Sequence, residues 1–255
     1  MNPGFDPAPA MVLLSPYGAA LWNDVRAAMD ADIVVSCLEL IRGRSLGDYA
    51  DWALELCPPR FCLVGFCLGG AVAVEAARRA PERVAGLALI NTALRADNHA
   101  QASARRLRIE KLQAKAASRD DPDPAYLAHA ARWLVAPGAD QAARRAQDLL
   151  ARTPITRSLD QQRALLSRPD LRDAFASLRV PVLAISGEHD RICAPLGHAD
   201  LPTGRVDASA HVLAGCGHLS PLEQPQAVAA LLDSWLDRVR GDESNLERQD
   251  RAAVF

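Results

Sequence analysis

The residues best suited to chemistry lie in Gly65-Phe66-Cys67-Leu68-Gly69-Gly70, which follows an apolar run at 61–64 and opens a helical stretch reaching residue 79. A strand that turns directly into a helix forces the middle residue of Gly-x-Cys-x-Gly into strained backbone angles. Glycines two positions to either side remove the Cβ atoms that would collide there. The side chain of Cys67 is then held out over the edge of a sheet. At a helix N-terminus, free N–H groups and the macrodipole favour the thiolate, the form that attacks carbon. The Leu68 N–H points at the oxygen of a carbonyl under attack. The competing reading is a glycine-rich turn around an inert cysteine, since a free cysteine often behaves as a small hydrophobe.

The elements that must position this thiol are short, continuous apolar runs at 11–14, 33–35, 61–64, 84–90, 180–185 and 210–213. Continuous rather than alternating runs predict strands buried on both faces. Helical patterns lie between them, at 68–79 and at 226–240 with Val228, Leu231, Leu232, Trp235, Leu236 and Val239. Such alternation predicts an α/β fold, a mostly parallel central sheet flanked by helices. Residues 96–175 break it, being rich in alanine and arginine and punctuated by Asp121-Pro122-Asp123-Pro124, Pro137-Gly138 and Pro154. The expected organisation is a core of 1–95 and 176–255 with a helical cap at 96–175. Residues 1–9 and 241–255, without apolar period, are expected to be flexible tails.

Composition narrows the function classes. With 255 residues, 49% hydrophobic and 24% charged, the chain is an ordinary globular one. A net charge of -2 and few aromatic residues argue against nucleic acid as a partner. No run of 18 apolar residues and no basic-then-apolar leader is present, so the expectation is a cytoplasmic protein without membrane contact. Six cysteines in such a chain are expected to stay thiols. Cys193 and Cys216 lie within three residues of Asp190 and His218, but zinc-type ligand spacing is absent, so neither metal nor cofactor is expected. Cys216 is a candidate redox partner for Cys67. Basic side chains outnumber acidic ones over 96–175, which is either a solvated surface or a means of attracting an anionic substrate or an acidic carrier protein.

The elbow, its helix and the strand Val84-Ala85-Gly86-Leu87-Ala88-Leu89-Ile90-Asn91 resemble the α/β-hydrolase superfamily. Ser186-Gly187-Glu188-His189-Asp190-Arg191-Ile192-Cys193-Ala194-Pro195 is similar to its acid loop, and Gly215-Cys216-Gly217-His218-Leu219-Ser220-Pro221 to its histidine loop. The order nucleophile, acid, histidine is the one that fold uses. The resemblance implies Cys67 as nucleophile, His218 as general base and acid, and Asp190 as the carboxylate orienting the imidazole. Glu188 is a competing acid, and Asp190 could instead cap a helix. Cysteine in place of the usual serine is similar to dienelactone hydrolases, polyhydroxyalkanoate synthases and aminoacyl-shuttling transferases. The usual His-Gly after the first strand is replaced by Ser15-Pro16-Tyr17-Gly18. Proline has no N–H to give, so Tyr17 N–H is the candidate second oxyanion donor and Gly18 the alternative. The Leu38-to-Ser45 connection is shorter than the family's loop. Phe66, Trp22 and Trp133 are candidate substrate-binding side chains.

These readings imply a cysteine-nucleophile hydrolase that cleaves a small ester, lactone or thioester through an acyl-thioester enzyme. An acyltransferase or carrier-protein thioesterase would use the same residues, because an acyl thioester reacts readily with amines and thiols. A non-catalytic binding protein on a hydrolase scaffold is the third reading.

Overall fold

The computed structural model describes residues 9–30, 32–118, 123–193 and 208–252, with side chains to 241. Six parallel strands form one sheet, β1 (Ala10–Ser15), β2 (Val35–Glu39), β3 (Phe61–Phe66), β4 (Val84–Ile90), β5 (Val182–Gly187) and β6 (Ala208–Leu213), in the order β2-β1-β3-β4-β5-β6. Four central strands are buried along their lengths, as continuous apolar runs require. β2 and β6 are the edges and stay only half-buried, which corrects the expectation of burial on both faces for every strand. β2 also begins later than the apolar run, because the ladder with β1 starts at Val35 opposite Met11, and Val34 is 68% exposed.

Successive side chains of a strand point to opposite faces, so each central strand feeds two cores. Val12, Leu14, Leu63, Leu87 and Leu89 pack with α2 (Leu46–Leu56) and α3 (Leu68–Arg79). Met11, Leu13, Val64, Phe66, Ala88, Ile90 and Ile185 pack on the other face with α1 (Asn23–Ala28) and Trp235 and Leu236 of the C-terminal helix. Because β1 sends the chain to β2 on one side and β3 to the other, the topological switch lies between the carboxyl ends of β1 and β3. That is where open parallel sheets bind ligands.

Between β4 and β5 the described residues form only helices and their connections: α4 (His99–Ser118), α5 (Pro124–Leu134), α6 (Asp140–Arg152), α7 (Ile155–Leu166) and α8 (Arg172–Ser177). The expected boundary at 175/176 falls inside α8, whose Phe175 packs into the core beside α3 with Leu171. That short helix sits with the sheet. After the short α9 (Ser220–Glu223), α10 (Pro225–Ala252) continues as helix into the expected C-terminal tail. Its glutamate, arginine and alanine content favours helix even where no apolar face remains. Residues 1–8 of the expected N-terminal tail lie outside the described residues. No described helix is long and apolar enough to cross a membrane.

Candidate functional site

Cys67 ends β3 and caps α3 with φ 53 and ψ -114, the strained geometry expected of the elbow. Its N–H donates to the Ile90 carbonyl at 3.0 Å, tying the turn to β4. A Cβ on Gly65 would lie 2.4 Å from the Gly69 carbonyl oxygen and the Gly70 Cα. Only a residue without Cβ lets the strand meet its own helix so closely. Among the described residues, neither Leu68 N–H nor Gly18 N–H has a protein acceptor. Tyr17 N–H differs: it donates to Ser15 Oγ at 2.9 Å.

His218 is brought to the elbow by the loop after β6, and Asp190 by the loop after β5. A Cβ on Gly187 would sit 2.0 Å from the Gly217 carbonyl oxygen, so these two loops cross in contact. His218 Nδ1 lies 2.9 and 3.0 Å from the two carboxylate oxygens of Asp190. Ile192 N–H and Cys193 N–H donate to Asp190 Oδ1 at 2.8 and 3.0 Å, and Asn91 Nδ2 donates to Oδ2 at 2.9 Å. Glu188, the competing acid, instead accepts from Gly215 N–H and pairs with exposed His189. The imidazole packs against Phe66, with ring centroids 5.1 Å apart.

The electrostatics make an ion pair. The Cys67 sulfur is hydrogen-bonded by the Cys193 thiol; burial opposes its ionisation, and the charge and hydrogen bond of His218 favour it. The net result lies well below an ordinary thiol. Burial alone would lower His218, but the Cys67 thiolate and Asp190 outweigh it and raise the imidazole to about 10. Cys193, hydrogen-bonded to a thiolate and buried, is pushed well above an ordinary thiol and stays protonated. Burial raises Asp190, but its contacts with His218, the Cys193 N–H and Asn91 hold it low overall. The shifts run together in one direction, favouring a thiolate on Cys67 beside a protonated His218 and an ionised Asp190.

Asn91 and Glu223 carry no motif in the sequence, and Cys193 reads there only as a neighbour of Asp190. Asn91 is fully buried with φ 48, accepts from Ser220 Oγ, and donates to both Asp190 and the Gly217 carbonyl. Glu223 accepts from Ala136 N–H and Gly217 N–H at 2.8 and 2.9 Å through one oxygen. It thereby ties the histidine loop to the chain following α5. Cys193, not Cys216, is the thiol beside Cys67; Cys216 is fully buried and raised by that burial to about 12. The sequence places Cys193 near Asp190, but its meeting with Cys67 is set by the fold alone.

The aromatic candidates separate. Phe66 lies between His218 and Tyr17, whose ring centroid is 6.4 Å away. Trp22 is corrected: it is fully buried edge-on behind Phe66, at 6.5 Å and 89°, so it supports the wall and cannot touch a substrate directly. The turn Ala19–Leu21 carries it inward as core. Trp133 is 51% exposed on α5, with the Arg191 guanidinium over its ring at 5.1 Å. From α7, Gln161 Nε2 donates to the Pro16 carbonyl at 3.1 Å and Arg157 pairs with Glu39. Farther along, buried Arg168 donates to the Arg95 carbonyl at 2.7 Å, pairs with Asp97, and leaves its Nε without a partner. Burial lowers this guanidinium, while Asp97 and the Cys193 and Cys67 sulfurs act to raise it, which puts it within electrostatic reach of the elbow.

Among the described residues, Asp190, Cys193 and His218 form the one group whose ligand atoms could converge on a metal, within 4.8 Å of one another. The carboxylate and the imidazole are committed to each other at 2.9 Å, which leaves a single thiol.

A family profile described as "Alpha/beta hydrolase family" matches residues 5–231. A pimeloyl-[acyl-carrier protein] methyl ester esterase from Aromatoleum aromaticum is 31% identical over 91% of this chain and 99% of its own. The enzyme of that name from Edwardsiella ictaluri is 29% identical over 89% and 93%. In structure, the thermophilic esterase of Thermogutta terrifontis superposes with a TM-score of 0.75 at 22% identity, covering 91% of this chain and 90% of the esterase.

Proposed function

Because this chain belongs to the alpha/beta hydrolase family, we propose that it is an ester hydrolase working through an acyl-thioester on Cys67, with an ester borne on an acyl carrier protein as its substrate class. One observation carries the reading: a cysteine on a strained strand–helix elbow with His218 beside it, the imidazole held by a carboxylate whose other contacts are all donors, an arrangement that favours the thiolate and the imidazolium.

The thiolate attacks the ester carbonyl, and the oxyanion is received by the Leu68 N–H. Gly18 N–H is free to be the second donor; Tyr17 N–H must first leave Ser15 Oγ. A thiolate leaves a tetrahedral intermediate more easily than an alkoxide does, so the intermediate reverts unless the alcohol is protonated as it departs. His218, already charged, supplies that proton. Neutral His218 then takes a proton from water, which attacks the thioester and releases the acid. Asp190 keeps the ring oriented through both steps.

The substrate class is supported by the names of the two carrier-protein esterases. It is also supported by basic side chains exposed on the helices between β4 and β5, among them Arg106, Lys111, Arg132, Arg144 and Arg152. Incubation with acyl-carrier-protein methyl esters, p-nitrophenyl esters and acyl thioesters, read by intact mass, tests this reading. Wild type gains an acyl group that decays in water; Cys67→Ala gains none, and His218→Ala acylates at least about 10³-fold more slowly. An adduct that persists until a thiol or amine is added assigns acyl transfer instead, and no adduct with any donor overturns the reading.

A further inference from the structure

Hydrolysis by Cys67, His218 and Asp190 has no use for a second thiol, yet the Cys193 S–H lies against the Cys67 sulfur. Cys193 is 7% exposed, and its N–H is fixed on Asp190 at 3.0 Å. Its sulfur lies within 4.8 Å of ligand atoms of Asp190 and His218. Cys67 itself is only half-buried. A reactive thiolate with a resolving thiol in contact and a proton carrier beside both is the arrangement that reversible thiol oxidation needs.

We propose that Cys67 and Cys193 form an intramolecular disulfide when a hydroperoxide reaches the elbow, and that this bond switches hydrolysis off until a dithiol reductant reopens it. The Cys67 thiolate attacks the peroxide, the O–O bond breaks, and the alkoxide or hydroxide leaves with the proton of His218. Cys67 is oxidised to the sulfenic acid and the peroxide is reduced. His218, now neutral, takes the Cys193 proton; the Cys193 sulfur attacks the Cys67 sulfur, the S–O bond breaks, and the hydroxide takes that proton to leave as water. Two thiols and one peroxide become one disulfide, one alcohol or water, and one water. The sulfurs need only close from hydrogen-bond contact to the ~2.05 Å of a disulfide. The bond removes the nucleophile, and it also spares Cys67 further oxidation to the sulfinic acid.

The inference rests on Cys67 being the reactive thiolate of the proposed function. Its deciding readout, the mass-mapped Cys67–Cys193 peptide pair, uses no substrate, so its failure and that of ester hydrolysis are separately visible. The full chain, reduced and then titrated with hydrogen peroxide in the presence of a chelator, is alkylated, digested and mapped by mass. Wild type is expected to lose about 2 Da, to yield a peptide pair joining Cys67 to Cys193, and to regain its activity with dithiothreitol. Cys193→Ser and Cys193→Ala are expected to gain about 32 Da on Cys67 and to recover less than about one tenth of their starting activity. Cys216→Ser is expected to behave as wild type. The wild-type map decides even if both Cys193 variants fold poorly. A map without the Cys67–Cys193 pair, or full recovery in the Cys193 variants, overturns the proposal.

Discussion

Replacing Asp190 by asparagine tests the ion pair at the point where the geometry is most demanding. Every group that contacts the Asp190 carboxylate is a donor: His218 Nδ1, Asn91 Nδ2, Ile192 N–H and Cys193 N–H. A carboxylate accepts on both oxygens, whereas an amide must turn its NH₂ toward one side. That NH₂ meets either Asn91 Nδ2 or the two backbone N–H groups, and His218 loses its charged partner. A hydrogen bond to a charged group contributes about 1.5–3 kcal/mol. At about 1.4 kcal/mol per pH unit, losing it lowers the imidazolium by about one to two units. The alkaline limb of kcat/KM, set near pH 10 by His218 in the wild type, should therefore move to about pH 8–9 in Asp190→Asn. The assay is p-nitrophenyl ester hydrolysis from roughly pH 5 to pH 11, with alkylation of Cys67 by iodoacetamide followed in parallel. An alkaline limb that stays near pH 10 in a folded Asp190→Asn would refute the assignment of Asp190 as the group sustaining the pair.

The same pair shapes stability against pH. Below about 6.5 the unfolded chain holds protons on both groups and the folded chain on one; from about 9 to about 10 the unfolded chain holds none and the folded chain still one. Stability should therefore rise with pH below about 6.5, stay level to about 9, and fall by about 1.4 kcal/mol per pH unit between about 9 and about 10. Urea unfolding of wild type and of Cys67→Ala/His218→Ala checks this, and identical slopes in both contradict it. Gly65→Ala places a Cβ 2.4 Å from backbone atoms and should cost roughly 3 kcal/mol, read by denaturation; a change under about 0.5 kcal/mol would show that the elbow yields. Glutamate at Arg106, Arg132 and Arg144 together should cut kcat/KM for a carrier-protein ester about tenfold at low salt, with free p-nitrophenyl esters changing less than about twofold. Equal effects on both substrates would remove the docking role.

What the sequence made legible was local chemistry. β4 and α3 fall at 84–90 and 68–79 as their patterns require, because glycine, helix start and continuous apolar runs act within a few residues. The edge strands were less legible: 33–35 is as apolar as a central strand, and only the position of its neighbour decides where pairing begins. The polar end of α10 has no apolar period to announce it, although its backbone hydrogen bonds continue. Within the site, the three motif residues were visible because each sits in its own short pattern. Asn91 reads as an ordinary strand end until its φ of 48 and its buried contacts are seen. Cys193 and Cys67 are far apart in the chain, and no local pattern records their meeting. Trp22 misled for the opposite reason, since aromatic character alone does not distinguish a pocket wall from the layer behind it.

The Leu134 carbonyl accepts from both His218 N–H and Leu219 N–H, at 2.9 and 3.2 Å, while Glu223 clamps Ala136 and Gly217 with one oxygen. The stretch after α5 is thus a structural part of the histidine loop, though it lies far from it in the chain. Helices above the sheet are not an exchangeable module here. A chimera that imports a relative's cap with joins at the ends of β4 and α8 replaces the acceptor on which His218 hangs. Such a graft would carry acyl specificity across intact only if residues 134–136 and Glu223 travelled as one unit.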